Sequence, residues 1–180
     1  MWGYIGAAIA TVIVVVLIVA ALKPGHFQIQ RSAMIGAPPA VIYGYIADFR
    51  KWTQWSPWER IDPNLRRTYS GADHGVGAVY AWDSNNSKAG AGRMEITKAA
   101  ENTLINLDLD FIKPFRASNK VAFAFSPEAD GTLVLWTMTG PLPFMAKLMH
   151  TLMNMDKMVG KDFEAGLATL KSISETAARA

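Results

Sequence analysis

Cysteine is absent from the 180 residues, so the chain can hold no disulfide, no thiolate nucleophile and no cysteine-based metal site. That absence leaves the compartment open. Histidine is scarce as well: His26, His74 and His150 stand far apart, and none has a second ligand at metal-site spacing, so no metal site is expected. Basic tracts are also missing. The net charge is +3, but its Lys and Arg residues are scattered, which leaves nucleic-acid binding unsupported; a solvated surface beside an anionic bilayer explains the sign equally well. Gly75-Val76-Gly77 and Gly90-Ala91-Gly92 lie between strand-like segments with no helix after them. They read as hairpin glycines rather than phosphate loops, and no cofactor is expected. Asn85-Asn86-Ser87 fits a glycosylation sequon, which matters only in a secretory lumen, and chance explains it better. There are no internal repeats. With 51% hydrophobic and 18% charged residues, the composition is that of one globular domain plus something extra.

The extra part is at the front. From Gly3 to Leu22 there is no charge, and Ile5, Ile9, the run Val12 to Val16, Leu17, Ile18 and Val19 keep the stretch apolar throughout. About twenty such residues match a hydrocarbon core of ~30 Å. Trp2 and Tyr4 stand where an aromatic belt belongs, and Lys23-Pro24-Gly25 closes the segment. Residues 1–23 therefore read as a transmembrane anchor and residues 24–180 as the domain it carries. Lys23, His26 and Arg31 follow the span, which biases the domain towards the cytoplasm. The alternative is a cleaved signal peptide ending at Val19-Ala20-Ala21, with a periplasmic or secreted domain, but the stretch lacks a basic leading region.

Beyond the anchor, Phe27 to Ile35 alternates as a strand does, and Ala37-Pro38-Pro39 opens a helix whose apolar face is Val41, Ile42, Tyr45, Ile46 and Phe49. Asp48 is placed to cap a second short helix carrying Phe49, Trp52 and Trp55, which Pro57 stops. Six strands follow: 66–70, 78–83, 92–97, 103–111, 118–125 and 133–139. Turn residues such as Asp130-Gly131 separate them. In the fourth of these, Ile105, Leu107 and Leu109 alternate with Asn106, Asp108 and Asp110, so one face is core and the other wet.

The last element is a one-sided helix. Phe144, Leu148, Leu152, Met155, Val159, Phe163, Leu167, Leu170 and Ile173 recur at steps of three or four, and Lys147, Lys157, Lys161 and Glu164 occupy the other face. A stripe of this kind has to be buried, and the strands before it offer the surface. Unbroken, the helix would run about 45 Å, longer than the ~40 Å diameter of a globule of this size. A break is therefore expected between Thr151 and Asp156, with Asn154 or Asp156 capping the second piece. Gly160 and Gly166 argue against a coiled-coil partner helix and for close approach of a sheet or ligand to the backbone.

That order of elements resembles the START-like or helix-grip superfamily, in its SRPBCC branch of polyketide cyclase/dehydratase-like proteins. The local likeness lies in Ala37-Pro38-Pro39, in Asp48-Phe49 with Trp52 and Trp55-Ser56-Pro57-Trp58-Glu59, and in Gly92-Arg93-Met94-Glu95-Ile96. It continues through Phe111, Pro114-Phe115, Val134-Leu135-Trp136 and Asn154-Met155-Asp156, with Gly160, Phe163 and Gly166 after them. The resemblance implies an α+β fold: a seven-stranded antiparallel sheet curled around a long C-terminal helix, with two short helices after the first strand and an apolar cavity between sheet and helix. It carries no catalytic motif across.

Candidates for lining that cavity follow from chemistry. Trp55 and Trp58, with Trp52, offer large apolar area and one donor each, Trp55 as core and Trp58 at the rim; packing of the short helices would use the same residues. Tyr80, Trp82, Phe111, Phe123, Trp136 and Met138 come from the strands, and Met155 and Phe163 from the final helix. Glu59 and Glu95 are the acid–base candidates, since a carboxylate in an apolar pocket has its pKa raised towards a useful range, although Glu95 alternates with apolar neighbours as a solvent-facing residue would. Three functions follow as expectations. The first is a membrane-anchored domain binding a hydrophobic small molecule, lipid or polyketide/isoprenoid-like. The second is a cyclase or dehydratase acting on an aromatic or polyketide-like substrate, and the third is a protein-interaction module whose partner the sequence does not name.

Overall fold

The computed structural model describes residues 2–180, with side chains from Tyr4 onward. The belt position expected for the side chain of Trp2 thus lies outside the described residues. The strands are β1 (His26–Ile35), β2 (Arg66–Gly71), β3 (Ala78–Asp83), β4 (Ala91–Ala100), β5 (Leu104–Lys113), β6 (Ala117–Glu128) and β7 (Gly131–Pro141). They form one seven-stranded antiparallel sheet in the order β1-β7-β6-β5-β4-β3-β2. Short turns make the β2–β7 meander, because neighbouring antiparallel strands need only a hairpin between them. β1 closes the other edge beside β7, with Arg31 opposite Trp136.

The chain crosses the concave face between β1 and β2. Helix α2 (Pro39–Ile46) begins on proline and buries Ile42 and Ile46. The expected second helix is instead a 3-10 turn, Phe49–Gln54, which Asp48 caps by accepting from the backbone N–H of Arg50 at 2.9 Å. Pro57 then opens a second 3-10 turn, Pro57–Arg60. Proline at position 57 stops the first turn and starts the next, so the tryptophans are spread over two short elements.

The C-terminal stretch is broken where the length argument requires. Helix α3 (Phe144–Leu152) ends before Asn154, whose side chain accepts from the Lys157 N–H at 2.9 Å and opens helix α4 (Met155–Ala177). α4 lies in the concave face with Phe163, Leu167 and Leu170 buried and Val159 and Ile173 packed beside them. Both glycines mark close approaches. A Cβ on Gly160 would collide with the guanidinium of Arg31, which crosses α4 there to bridge Asp156 at 3.0 Å and Glu164 at 2.8 Å. At Gly166 a Cβ would stand 3.0 Å from the Trp136 ring and 3.2 Å from Pro57. The far end of α4 is tied to the other end of β1, where the Gly36 N–H donates to Glu175 at 2.8 Å and Lys171 donates to the Met34 carbonyl at 2.7 Å.

The front third of the expected stripe does not meet the sheet. No residue of α3 is buried, and Phe144 and Leu152 are exposed. The break at Asn154 turns α3 out of the concave face, and there it packs against helix α1 (Trp2–Leu22). α1 is long and apolar enough to cross a membrane over Tyr4–Leu22.

Phe163 is the test of α4's orientation. Phe163→Ala should destabilise the domain by about 3 to 5 kcal/mol, the usual cost of truncating a buried aromatic, read as a lower urea midpoint. A loss below about 1 kcal/mol would mean that the ring contributes little to the core.

Candidate functional site

Sheet alternation sends one set of side chains into the concave face, and at the centre of that face these are aromatic. Trp136 on β7 stacks on Phe163 of α4, with centroids 4.1 Å apart and planes within 8°. Phe123 on β6 lies 4.8 Å from Trp136, and Trp55 meets both rings edge-on at 6.1 and 5.5 Å. Trp58 completes the group from the second 3-10 turn, edge-on to Trp136 at 5.7 Å and to Phe163 at 6.0 Å. Trp58 is half-buried and Trp55 is fully buried. These rings take up the space between sheet and α4.

A second aromatic row runs along the β2–β3 side. Tyr69 stacks on Tyr80 at 5.3 Å, Tyr80 on Trp82 at 5.8 Å, and Trp82 meets Phe111 edge-on at 6.0 Å. The last contact crosses β4 at Gly92, where any Cβ would collide with the Trp82 ring. Over this row sits Glu59, its side chain only 5% exposed. One oxygen accepts from the Tyr80 hydroxyl at 2.5 Å and the other from Arg67 Nε at 2.6 Å, so both are engaged. Burial pushes the Tyr80 phenol up, and its bond to the Glu59 carboxylate pushes it further. Tyr69 is raised as well, by burial and then by the charge of Glu59. This cluster fastens the second 3-10 turn to β2 and β3.

The indole donors differ in a telling way. Trp52 donates to the Ile46 carbonyl at 2.9 Å, Trp55 to Tyr45 at 3.3 Å and Trp82 to Ala89 at 3.0 Å. Trp136 Nε1, in contrast, is fully buried and has no acceptor. Such a group is costly to leave unmade. Its ring is the one that Trp55, Trp58, Phe123 and Phe163 all meet.

Two of the expected lining residues lie elsewhere. Glu95 stands on the outer face: register pairs it with Val79 and Asp108, its neighbours Met94 and Ile96 take the concave side, and it bridges Arg93 at 2.6 Å. Met155 is at the start of α4, in a surface hollow of about 330 Å³ shared with Lys23, His150, Met153 and Asp156. Met138 is buried on β7. Arg67 and Tyr69 were missed by sequence reasoning. Their alternation in a short edge strand, opposite Trp82 and Tyr80, was the available signal. Among the described residues no group of His, Asp and Glu is arranged to hold a metal.

Residues 26–175 match the family described as polyketide cyclase / dehydrase and lipid transport. The chain belongs to that family. Solved structures share its fold at low identity. A Chromobacterium violaceum protein is 14% identical with a TM-score of 0.60, over 83% of this chain and 98% of its own. A Staphylococcus aureus protein of unknown function is 14% identical with a TM-score of 0.61, over 86% and 97%. StfQ, the di-domain ARO/CYC of the steffimycin biosynthetic pathway, is 14% identical with a TM-score of 0.64, over 86% of this chain and 52% of its own. This chain therefore spans about half of StfQ. A search of curated proteins by sequence finds no match.

The tyrosines give a pH prediction. Unfolded tyrosine titrates near pH 10, whereas Tyr80 and Tyr69 are held above their ordinary range in the fold. Stability is therefore fully present below about pH 10 and is lost as pH rises beyond it, because the unfolded chain then releases protons that the folded chain keeps. The urea midpoint should fall between about pH 8 and about pH 10.5, and fall less in Tyr80→Phe. Equal slopes in the two proteins would mean that Tyr80 is not held protonated by its surroundings.

Proposed function

We propose that this chain is a membrane-anchored domain that holds a hydrophobic small molecule, lipid-like or polyketide/isoprenoid-like, between the sheet and α4. The observation that carries this reading is Trp136 Nε1, a buried donor without an acceptor amid Trp55, Trp58, Phe123 and Phe163. A ligand with an apolar body and one carbonyl or hydroxyl oxygen would bury its bulk among the rings and supply the missing acceptor. The family description, which joins cyclases and dehydrases with lipid transport, is consistent with such a ligand. The rings are in contact with one another, so binding requires them to part. Trp58 is the one to move, since it is half-buried and held by a short 3-10 turn.

An enzymatic role on an aromatic or polyketide-like substrate would draw on Glu59. Its oxygens are both committed to Arg67 and Tyr80, however, so a carrier or receptor role uses the site with fewer demands. α1 would keep the pocket beside a membrane-dissolved ligand and raise its effective concentration there. Lys23, His26 and Arg31 favour a cytoplasmic domain. An intact mass for the mature protein that includes residues 1–21 supports the anchor over a cleaved signal peptide.

Replacing the rim tryptophan tests the pocket. Trp58→Ala should weaken uptake of a fluorescent fatty acid by about 1 to 3 kcal/mol, the value of one large apolar contact, and should cost less stability than Trp55→Ala. If Trp58→Ala costs as much stability as Trp55→Ala and leaves uptake unchanged, the aromatic group is structural and the reading fails.

A further inference from the structure

The exposed apolar residues outside α1 are concentrated at one end of the molecule. Register puts His26 opposite Pro141, Phe111 opposite Ala117 and Ala91 opposite Lys113, so the start of β1, the β5–β6 turn and the end of β7 share one end of the sheet. α1 enters the domain at that end and α3 leaves it there. The β5–β6 turn carries Ile112 and Phe115, the latter 80% exposed, and α3 carries Met145, Met149 and Leu152 on one exposed arc. These α3 positions follow at steps of four and three, and Lys147 and His150 lie on the opposite side of the helix. The helix is amphipathic, yet its apolar arc has no protein partner among the described residues.

Its attachment fixes how deep it lies. Leu142 N donates to the Gly25 carbonyl at 2.7 Å just before α3, and Lys23 Nζ donates to the His150 carbonyl at 2.9 Å in its last turn. α3 packs along the end of α1, where Ala20 is buried and Val16 half-buried. Those two residues come two and six positions before Leu22, about 3 and 9 Å inside the end of the span at ~1.5 Å per residue. That is the level at which interfacial helices lie, about 5 to 10 Å into the boundary between headgroups and acyl chains.

We infer that α3 and the Ile112–Phe115 turn form a membrane-docking surface, with the arc of Met145, Met149 and Leu152 and the ring of Phe115 immersed in the headgroup–acyl boundary of the bilayer that α1 crosses. The inference rests on the anchor reading above. Basic groups border the apolar patch: Lys113 and Arg116 stand on either side of Pro114-Phe115, and Lys23 reaches the last turn of α3. They suit an anionic leaflet, although Lys113 also bridges Asp83 at 3.2 Å. Flexible thioethers suit a fluid, heterogeneous partner better than branched side chains would. Docking of this kind would hold the sheet end against the bilayer rather than let the domain swing on its tether.

The absence of cysteine makes the test direct, since one thiol can be added to the full chain without removing any. Val14→Cys, Val76→Cys, Phe115→Cys and Met149→Cys, all at exposed positions, are each labelled with an environment-sensitive fluorophore and reconstituted in nanodiscs of phosphatidylcholine and phosphatidylglycerol. Val76 lies in the β2–β3 turn at the opposite end of the sheet and reports water. Lipids spin-labelled near the headgroup should quench the labels at 115 and 149 about twofold or more relative to the label at 76, with blue-shifted emission. If the label at 14 is quenched by lipids spin-labelled deep in the acyl region while either 115 or 149 resembles 76, the anchor stands and the docking surface is overturned. If the label at 14 is not quenched by such lipids, the anchor reading fails and the docking surface fails with it.

Discussion

The parallel contact of Phe163 with Trp136 is the interaction on which the rest of the structure depends. A helix can lie this close to a sheet only where its backbone carries no side chain at the crossing, and Gly166 supplies that place between Trp136 and Pro57. Once α4 is seated there, Leu167 and Leu170 follow into the concave face by helical spacing, and Phe123 and Trp55 close around Trp136. Polar contacts at both ends then fix the register of α4 on β1. Arg31 spans Asp156 and Glu164 across Gly160, and Lys171 and Glu175 reach the backbone of Met34 and Gly36. Arg31 is a concave-face residue of an edge strand, so its charge reaches solvent over the helix rather than being trapped beneath it.

The same packing explains why the site has two unlike halves. Around Trp136 the surroundings are hydrocarbon and ring, with one donor left over. Over Tyr80 they are a closed set of Glu59, Arg67 and Tyr80, in which each charged group has its partner. A buried carboxylate so arranged positions the second 3-10 turn, and with it Trp58, against the sheet. In the proposed reading the apolar half takes the ligand, and the ionic half sets where Trp58 stands. The α1–α3 pair stands at the sheet end where α4 begins.

Much of this architecture was legible in the residues. Ile105, Leu107 and Leu109 announce a half-buried strand by alternation alone, Pro39 opens a helix, and Asn154 caps one because its side chain replaces a missing backbone acceptor. Chain length against globule diameter required the break near Asn154, and the uncharged run to Leu22 had the length of a membrane span. These are local properties: the periodicity, capping and backbone restrictions of a segment act within a few residues. Other features were decided only by the fold. Met155 and Phe163 belong to one apolar stripe of α4, yet Met155, the helix's first residue beside the break, lines a surface hollow, while Phe163, two turns further on, is in the core. Glu95 and Glu59 are both carboxylates beside apolar neighbours, but pairing with Val79 and Asp108 sends one to the outer face, while a 3-10 turn lowers the other onto Arg67 and Tyr80. The sequence by itself determined which segments are helix and strand, since those choices are made residue by residue; the tertiary structure alone decided which side chains meet and that the Trp136 indole donor stays unpaired, because those depend on register and close approach between segments far apart in the chain.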